Sequence, residues 1–280
     1  MNLNVLFSKF SLVNLVLFSF ITIAYGQDRS VLASPKVIGH RGIEHHAPEN
    51  TVANFKASLQ LNIGIEVDVR RTKDGVWVCM HDELVDRTTN GKGRVIDYTF
   101  SELSKLDAGS YMAPYYKGQR VPKFEDLLKI IKEQKNPNVL IAVDLKVTDE
   151  TAEKQLVSLA RKYGVLDQLI FIGLTILDPS IRRKLHEADS KTQIAVLIQN
   201  PVDVPSALKD PHANWAYLRF VPNKDIVNTI RATNRNIFVV GDMVAGHKVE
   251  NWRLSKVAGV DAVMTEYPFE FRQSIQFIKR

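Results

Sequence analysis

The chain has one cysteine, Cys79, in 280 residues, so no intramolecular disulfide can form and stability must come from a buried core. It has no basic run either. Its 37 Lys+Arg and 31 Asp+Glu give a net charge of +6 spread along the chain, which argues against a nucleic-acid surface. Internal repeats and low-complexity segments are missing too, so one domain is expected.

Met1 to Gly26 carries a single charge, Lys9, followed by a largely apolar stretch from Phe10 to Tyr25 and small residues at Ala24 and Gly26. The apolar run is interrupted by Ser, Asn and Thr and is short for a bilayer. It reads as a secretory signal peptide over 1–26, cleaved before Gln27, which implies export to the periplasm or medium and no membrane insertion afterwards. No cysteine near the cleavage point offers a lipid attachment site. Without Lys9 the balance is 36 basic against 31 acidic residues, +5. This mild charge suits a small anionic partner. A linker over 27–35 leads to about 250 residues, ample for one core at 45% hydrophobic composition.

From there short apolar runs alternate with amphipathic helical patterns. Strands are expected near Lys36 to His40, Ile65 to Val69, Val139 to Leu145, Leu169 to Gly173, Gln193 to Ile198, Trp215 to Phe220, Ile237 to Gly241 and Val260 to Thr265. Eight strands, most followed by a helix, predict an α/β fold, a (β/α)8 TIM barrel over 36–280. Asn50 or Thr51, Asp178 with Pro179, and Asn223 mark helix starts, and Gly64 and Gly164 mark helix ends. The interval from about Glu83 to Asn138 is too long for a crossover and predicts a small insertion after the second barrel strand, over about 83–123, with a capping box at Thr99 and Glu102.

The chemistry concentrates early. Glu66 and Asp68 lie two apart on a strand and share a face; such a carboxylate pair calls for a cation between its members. Asp74-Gly75 predicts a two-residue hairpin turn, a register that places Asp68 opposite His81. Val37-Ile-Gly-His40-Arg41-Gly42 reads as a buried strand ending in polar groups. Two histidines, paired carboxylates and an arginine suffice to cleave a phosphate ester: a cation and Arg41 hold the anion, one imidazole takes a proton and the other gives one. Asp144 and Lys146 also share a face toward the barrel interior, where a buried ion pair is the plain reading. Asn50 reads as a helix cap, Asp86-Arg87 as a tie within its own loop, and His45, His46, His186, His212 and His247 as surface histidines.

His40-Arg41-Gly42, Pro48-Glu49-Asn50-Thr51, Glu66-Val-Asp68, Thr72-Lys-Asp74-Gly75, His81-Asp82 and Asp86-Arg87-Thr88-Thr89 together resemble, in order and spacing, the glycerophosphodiester phosphodiesterases. The resemblance extends loosely to Tyr267-Pro268. It implies metal-dependent hydrolysis of small glycerophosphodiesters to sn-glycerol 3-phosphate and an alcohol. By the same resemblance His40 and His81 are the acid and base, and Arg41 and Lys146 contact phosphate. One Ca²⁺ or Mg²⁺ is held by Glu66, Asp68 and Asp144. Two departures stand out: the family usually has glutamate at the position of Asp144, and Val239-Val240-Gly241-Asp242 replaces its common Trp-Thr pair, so an aromatic wall would have to come from Trp215, Tyr217 or the Tyr111 to Tyr116 loop. The alternatives are a related lipid phosphodiesterase of the phospholipase C or sphingomyelinase D kind, and a non-catalytic phosphodiester-binding protein.

Overall fold

The computed structural model describes residues 34–147, 149–241, 246–276 and 278, and among these described residues nine strands set the order of the fold. The leader at 1–26, most of the linker and Asp242 lie outside the described residues. The strands are β1 Lys36–Gly39, β2 Gly64–Arg71, β3 Trp77–Cys79, β4 Ile141–Leu145, β5 Leu169–Ile172, β6 Gln193–Ile198, β7 Trp215–Leu218, β8 Asn236–Val239 and β9 Ala262–Thr265. All but β3 are parallel, and β1 pairs with both β2 and β9, which closes an eight-stranded barrel. This is the TIM barrel the alternation of strand and helix predicted. Runs such as Leu-Ile-Phe-Ile in β5 are buried on both faces, as parallel strands between a filled barrel and a helical shell must be.

Ladder partners in a parallel sheet share a face, so register shows what fills the barrel. Ile38, Ala142, Ile170, Leu197, Tyr217 and Phe238 belong to one buried cluster. On the other face Ile198, Leu218, Ile237 and Val239 pack under Trp252 and Phe271 of the outer helices. Among the described residues no helix is long and apolar enough to cross a membrane.

Two local readings are corrected. The hairpin pairs Val69 with Cys79, Arg70 with Val78 and Arg71 with Trp77, one residue off the expected register. Lys73, Asp74 and Gly75 form a three-residue loop, closed where the Thr72 N–H donates to Val76 O at 3.0 Å. Gly75 takes the left-handed position at φ +82, as three-residue hairpins require. Asp68 therefore lies opposite Met80, whose N–H donates to Asp68 O at 3.0 Å, and His81 reaches the site from beyond the strand. Gly64, read as a helix end, instead opens β2, where a Cβ would lie 2.4 Å from Leu140 O.

Residues 80 to 123 lie over the C-terminal end of the barrel strands on a small core of their own, which includes Val78, Met80, Val85, Val95, Leu103 and Val121. The Thr99–Glu102 capping box is present. The Asp107 carboxylate accepts from the N–H groups of Gly109, Ser110 and Gly118 at 3.0, 2.7 and 2.6 Å, and these bonds hold its pKa well below the usual range. The Tyr116 hydroxyl donates to His46 O at 2.5 Å, and the Tyr111 hydroxyl accepts from the Glu49 N–H at 2.9 Å. The insertion is thereby tied to the loop after β1.

Candidate active site

At the end of β1 the chain turns through two left-handed residues, Arg41 at φ +50 and Gly42 at φ +84. A side chain at Gly42 would collide with Asn54, whose Oδ1 lies 1.7 Å from the ideal Cβ and accepts from the Ile43 N–H at 3.0 Å. The strained turn aims the Arg41 N–H at Glu66 Oε2, 2.9 Å away.

Glu66 and Asp68 leave β2 on its interior face, and β2–β4 register sets Asp144 beside Asp68. One oxygen from each of the three carboxylates lies within 4.8 Å of the others. Burial, with the charge of Asp68 next, pushes Glu66 well above the ordinary carboxylate pKa. Burial also raises Asp144, with Asp68 adding to the effect against the opposing charge of Lys146. Burial would raise Asp68 too, but Lys146, His81, Asn50 and Arg41 outweigh it and hold Asp68 low.

Lys146 Nζ stands between two of these groups, 2.6 Å from Asp144 Oδ2 and 3.0 Å from Asp68 Oδ1. Burial disfavours its charge, yet the carboxylates more than compensate and the ammonium is retained. The ion pair read for Asp144 and Lys146 is thus present, and it includes Asp68. Even so, Asp68 Oδ1 and Asp144 Oδ1 are buried without a well-formed hydrogen bond. Three hard oxygen donors with lone pairs to spare fit a divalent cation. Glu66, Asp68 and Asp144 could hold one.

The two histidines are anchored alike. His40 Nδ1 lies 2.9 Å from Glu44 Oε1 and 3.5 Å from Glu266 Oε1. Burial works against its charge, but hydrogen bonds to Glu266 and Glu44 and the nearby charge of Glu66 raise its pKa to about 10. His81 Nδ1 meets Asp82 Oδ1 at 2.7 Å, so Asp82 orients His81. In both rings the Nδ1 edge is engaged by a carboxylate.

Sequence reasoning missed four partners. Asn50 is no helix cap: Thr51 caps that helix, and Asn50, at φ +52, donates from Nδ2 to Asp68 Oδ2 at 2.9 Å. Glu49 accepts from Arg41 Nη1 at 3.2 Å and from Arg87 Nη1 at 2.6 Å. Arg87, read as tied to its own loop, also bonds Asp82. Glu266 follows β9 directly, one step beyond the Gly39–Thr265 pair; the strand-end rule that singled out His40 would have found it. Of the proposed aromatic walls, Trp215 sits at the far end of the barrel, donating to Gln193 Oε1. Tyr217 faces the interior, its hydroxyl pKa driven up by burial and by Asp144 and Glu66.

A family model described as the glycerophosphoryl diester phosphodiesterase family matches residues 40–270. The glycerophosphodiester phosphodiesterase of Caldanaerobacter subterraneus subsp. tengcongensis is 39% identical over 240 residues, 83% of this chain and 94% of that protein. The structure of a glycerophosphodiester phosphodiesterase from Agrobacterium tumefaciens is similar with a TM-score of 0.71 at 26% identity, covering 85% of this chain and 99% of that one. A phosphodiesterase of Oleispira antarctica, solved with the product sn-glycerol-3-phosphate, shares the fold with a TM-score of 0.73 at 23% identity, covering 87% of this chain and 97% of its own. The chain belongs to the glycerophosphoryl diester phosphodiesterase family of enzymes.

Proposed function

We propose that the chain hydrolyses glycerophosphodiesters to sn-glycerol 3-phosphate and an alcohol, with one divalent cation bound and with His40 and His81 moving the protons. The observation that carries this reading is the pairing of each Nδ1 with a carboxylate beside a cluster of three acidic oxygens. A cation on Glu66, Asp68 and Asp144 would draw charge from a phosphoryl oxygen. Asp144, a methylene shorter than glutamate, suits the longer and more flexible bonds of Ca²⁺ at about 2.3 to 2.6 Å better than the strict geometry of Mg²⁺.

The chain's own groups supply the rest. The buried Arg41 Nε makes no hydrogen bond and only a loose 3.9 Å ion pair with Asp68, so it could donate to a phosphate oxygen, and the Lys146 ammonium could serve as a second donor. His40, held protonated by Glu44 and Glu266, gives its Nε2 proton to the departing alkoxide. His81, its Nδ1–H fixed on Asp82, receives at Nε2 a proton from the attacking water, whose oxygen bonds to phosphorus as the bond from phosphorus to the departing alkoxide breaks. One proton is taken and one given, so each turnover closes once the two rings re-equilibrate with solvent.

The test uses metal-stripped protein, re-supplied with Ca²⁺ or Mg²⁺, on glycerophosphocholine, glycerophosphoethanolamine and bis-p-nitrophenyl phosphate. The expected products of the first are choline and sn-glycerol 3-phosphate; phosphocholine and glycerol would overturn the reading. His40→Ala and His81→Ala should each lower turnover by about 10² to 10⁴ with the fold intact. Because p-nitrophenolate departs without a proton, His40→Ala should be hurt less on the nitrophenyl substrate, and His81→Ala equally on both. Export, proposed from the 1–26 leader, predicts a processed N-terminus at Gln27 in the extracytoplasmic fraction.

A further inference from the structure

Arg87 stands in the insertion, in a turn that is already closed without it. The Thr89 N–H donates to Val85 O at 3.0 Å, the Thr89 hydroxyl donates to the same carbonyl at 2.7 Å, and Asp86 accepts from the Gly93 N–H at 2.8 Å. Its guanidinium reaches out of that turn to two carboxylates on different segments. Nη1 and Nη2 lie 2.6 and 2.8 Å from the two oxygens of Glu49. Nε and Nη2 lie 2.6 and 3.1 Å from the two oxygens of Asp82.

Each carboxylate holds a reacting-site group on its other side. Asp82 Oδ1 bonds His81 Nδ1 at 2.7 Å, and Glu49 accepts from Arg41 Nη1 at 3.2 and 3.3 Å. We infer that Arg87 is a positioning residue that fixes His81 and Arg41 relative to one another through Asp82 and Glu49. This rests on the catalytic reading of His81 given above.

Two features favour positioning over mere loop anchoring. A planar fork with two in-plane edges can satisfy two carboxylates at once, which an ammonium cannot. Glu49 is only 7% exposed in its side chain and is shared between two guanidiniums; without Arg87, Glu49 would pull on Arg41 alone and Asp82 would be free to rotate with His81. A displacement of about 1 Å at a reacting group is worth on the order of 10² in rate.

The experiment compares Arg87→Ala, Arg87→Gln and Arg87→Lys with wild type and with His81→Ala in the metal-loaded full chain on glycerophosphocholine. Arg87→Ala is expected to lower kcat by about 10- to 100-fold while KM changes by less than about threefold. Arg87→Gln should show the same split at a melting temperature near wild type, and Arg87→Lys should recover only part of the loss. Added guanidinium ion should raise kcat of Arg87→Ala, which sodium at equal ionic strength should not. Asp82→Asn combined with Arg87→Ala should cost little more than the worse single change, since both act through one path. Arg87→Ala and Arg87→Gln at full kcat beside a crippled His81→Ala would overturn the inference and leave the catalytic reading standing. Full activity in His81→Ala would overturn both.

Discussion

His40 keeps a charge that its own burial opposes, because Glu266 and Glu44 lie on its Nδ1 edge. Its folded pKa of about 10 exceeds the ordinary histidine value of 6.5. The stabilisation is therefore complete below about 6.5 and is lost as pH rises through about 10. If His40 protonates the leaving alkoxide, activity should persist well above neutrality and decline toward pH 10. Glu266→Gln removes a negative partner and should move that alkaline limb down toward neutral; an unmoved limb in the pH–rate profile would sever Glu266 from the acid. At this scale the gathering of His40, Arg41, Glu66, Asp68, Asp144 and Lys146 was legible because polar groups on three consecutive strands are hard to explain by packing, whereas His81 was placed by a hairpin register that the structure overturns. Asn50 was not, since an asparagine just before a helix reads as a cap, and only its left-handed backbone turns the amide toward Asp68. Arg87 was hidden because its partners lie 5 and 38 residues away.

At the level of elements, β5 supports β4 in a way no motif reveals. β5 is followed directly by Gly173 at φ +111, where a Cβ would stand 2.1 Å from Asp144 Oδ1 and 2.9 Å from its Cγ. Gly173→Ala must therefore both strain its backbone, at about 1 to 3 kcal/mol, and displace the Asp144 carboxylate. A loss of metal affinity of about 10- to 100-fold, read by calorimetry, is expected, as for other groups that orient a ligand. Unchanged affinity would show that Asp144 gives way without consequence. The eight barrel strands were readable from sequence because runs buried on both faces have no competing pattern. The hairpin was misread by one residue because Asp-Gly supports both a two-residue turn and a three-residue loop with glycine in the left-handed position; only the pairing of Arg71 with Trp77 decides. In that register the loop meets the insertion, the Lys73 N–H donating to Tyr98 O at 2.8 Å and Asp74 Oδ1 accepting from the Phe100 N–H at 2.9 Å, contacts the dipeptide does not encode.

Across the whole molecule, charge at the mouth of the barrel runs in alternation from Arg87 through Glu49, Arg41, Asp68 and Lys146 to Asp144. The fold class followed from strand count and spacing, but this chain of contacts joins the insertion, the loop after β1 and two barrel strands, and no local pattern encodes it. Such a network leaves few bare charges, so chelation should not unfold the protein. Lys146→Met in chelator, by contrast, leaves Asp144 without its cation and Asp68 with only Arg41 and Asn50, and should lower stability by about 3 to 5 kcal/mol in denaturant titration. A chelated Lys146→Met protein as stable as chelated wild type would refute that role.

The lysine between the carboxylates carries one more consequence. With an ammonium already 2.6 Å from Asp144 and 3.0 Å from Asp68, binding of a divalent ion there would be, in part, an exchange of one cation for another. An ion held by both aspartates would compete with a tethered ammonium whose effective concentration does not change with dilution. That competition would lower apparent affinity, and Lys146→Met, though less stable when stripped, should bind the ion more tightly. A displaced ammonium would stay on its four-carbon stem, within reach of an anion held by the ion. Metal would then load first and create the second anion contact, so substrate binding should be weak until the ion has arrived.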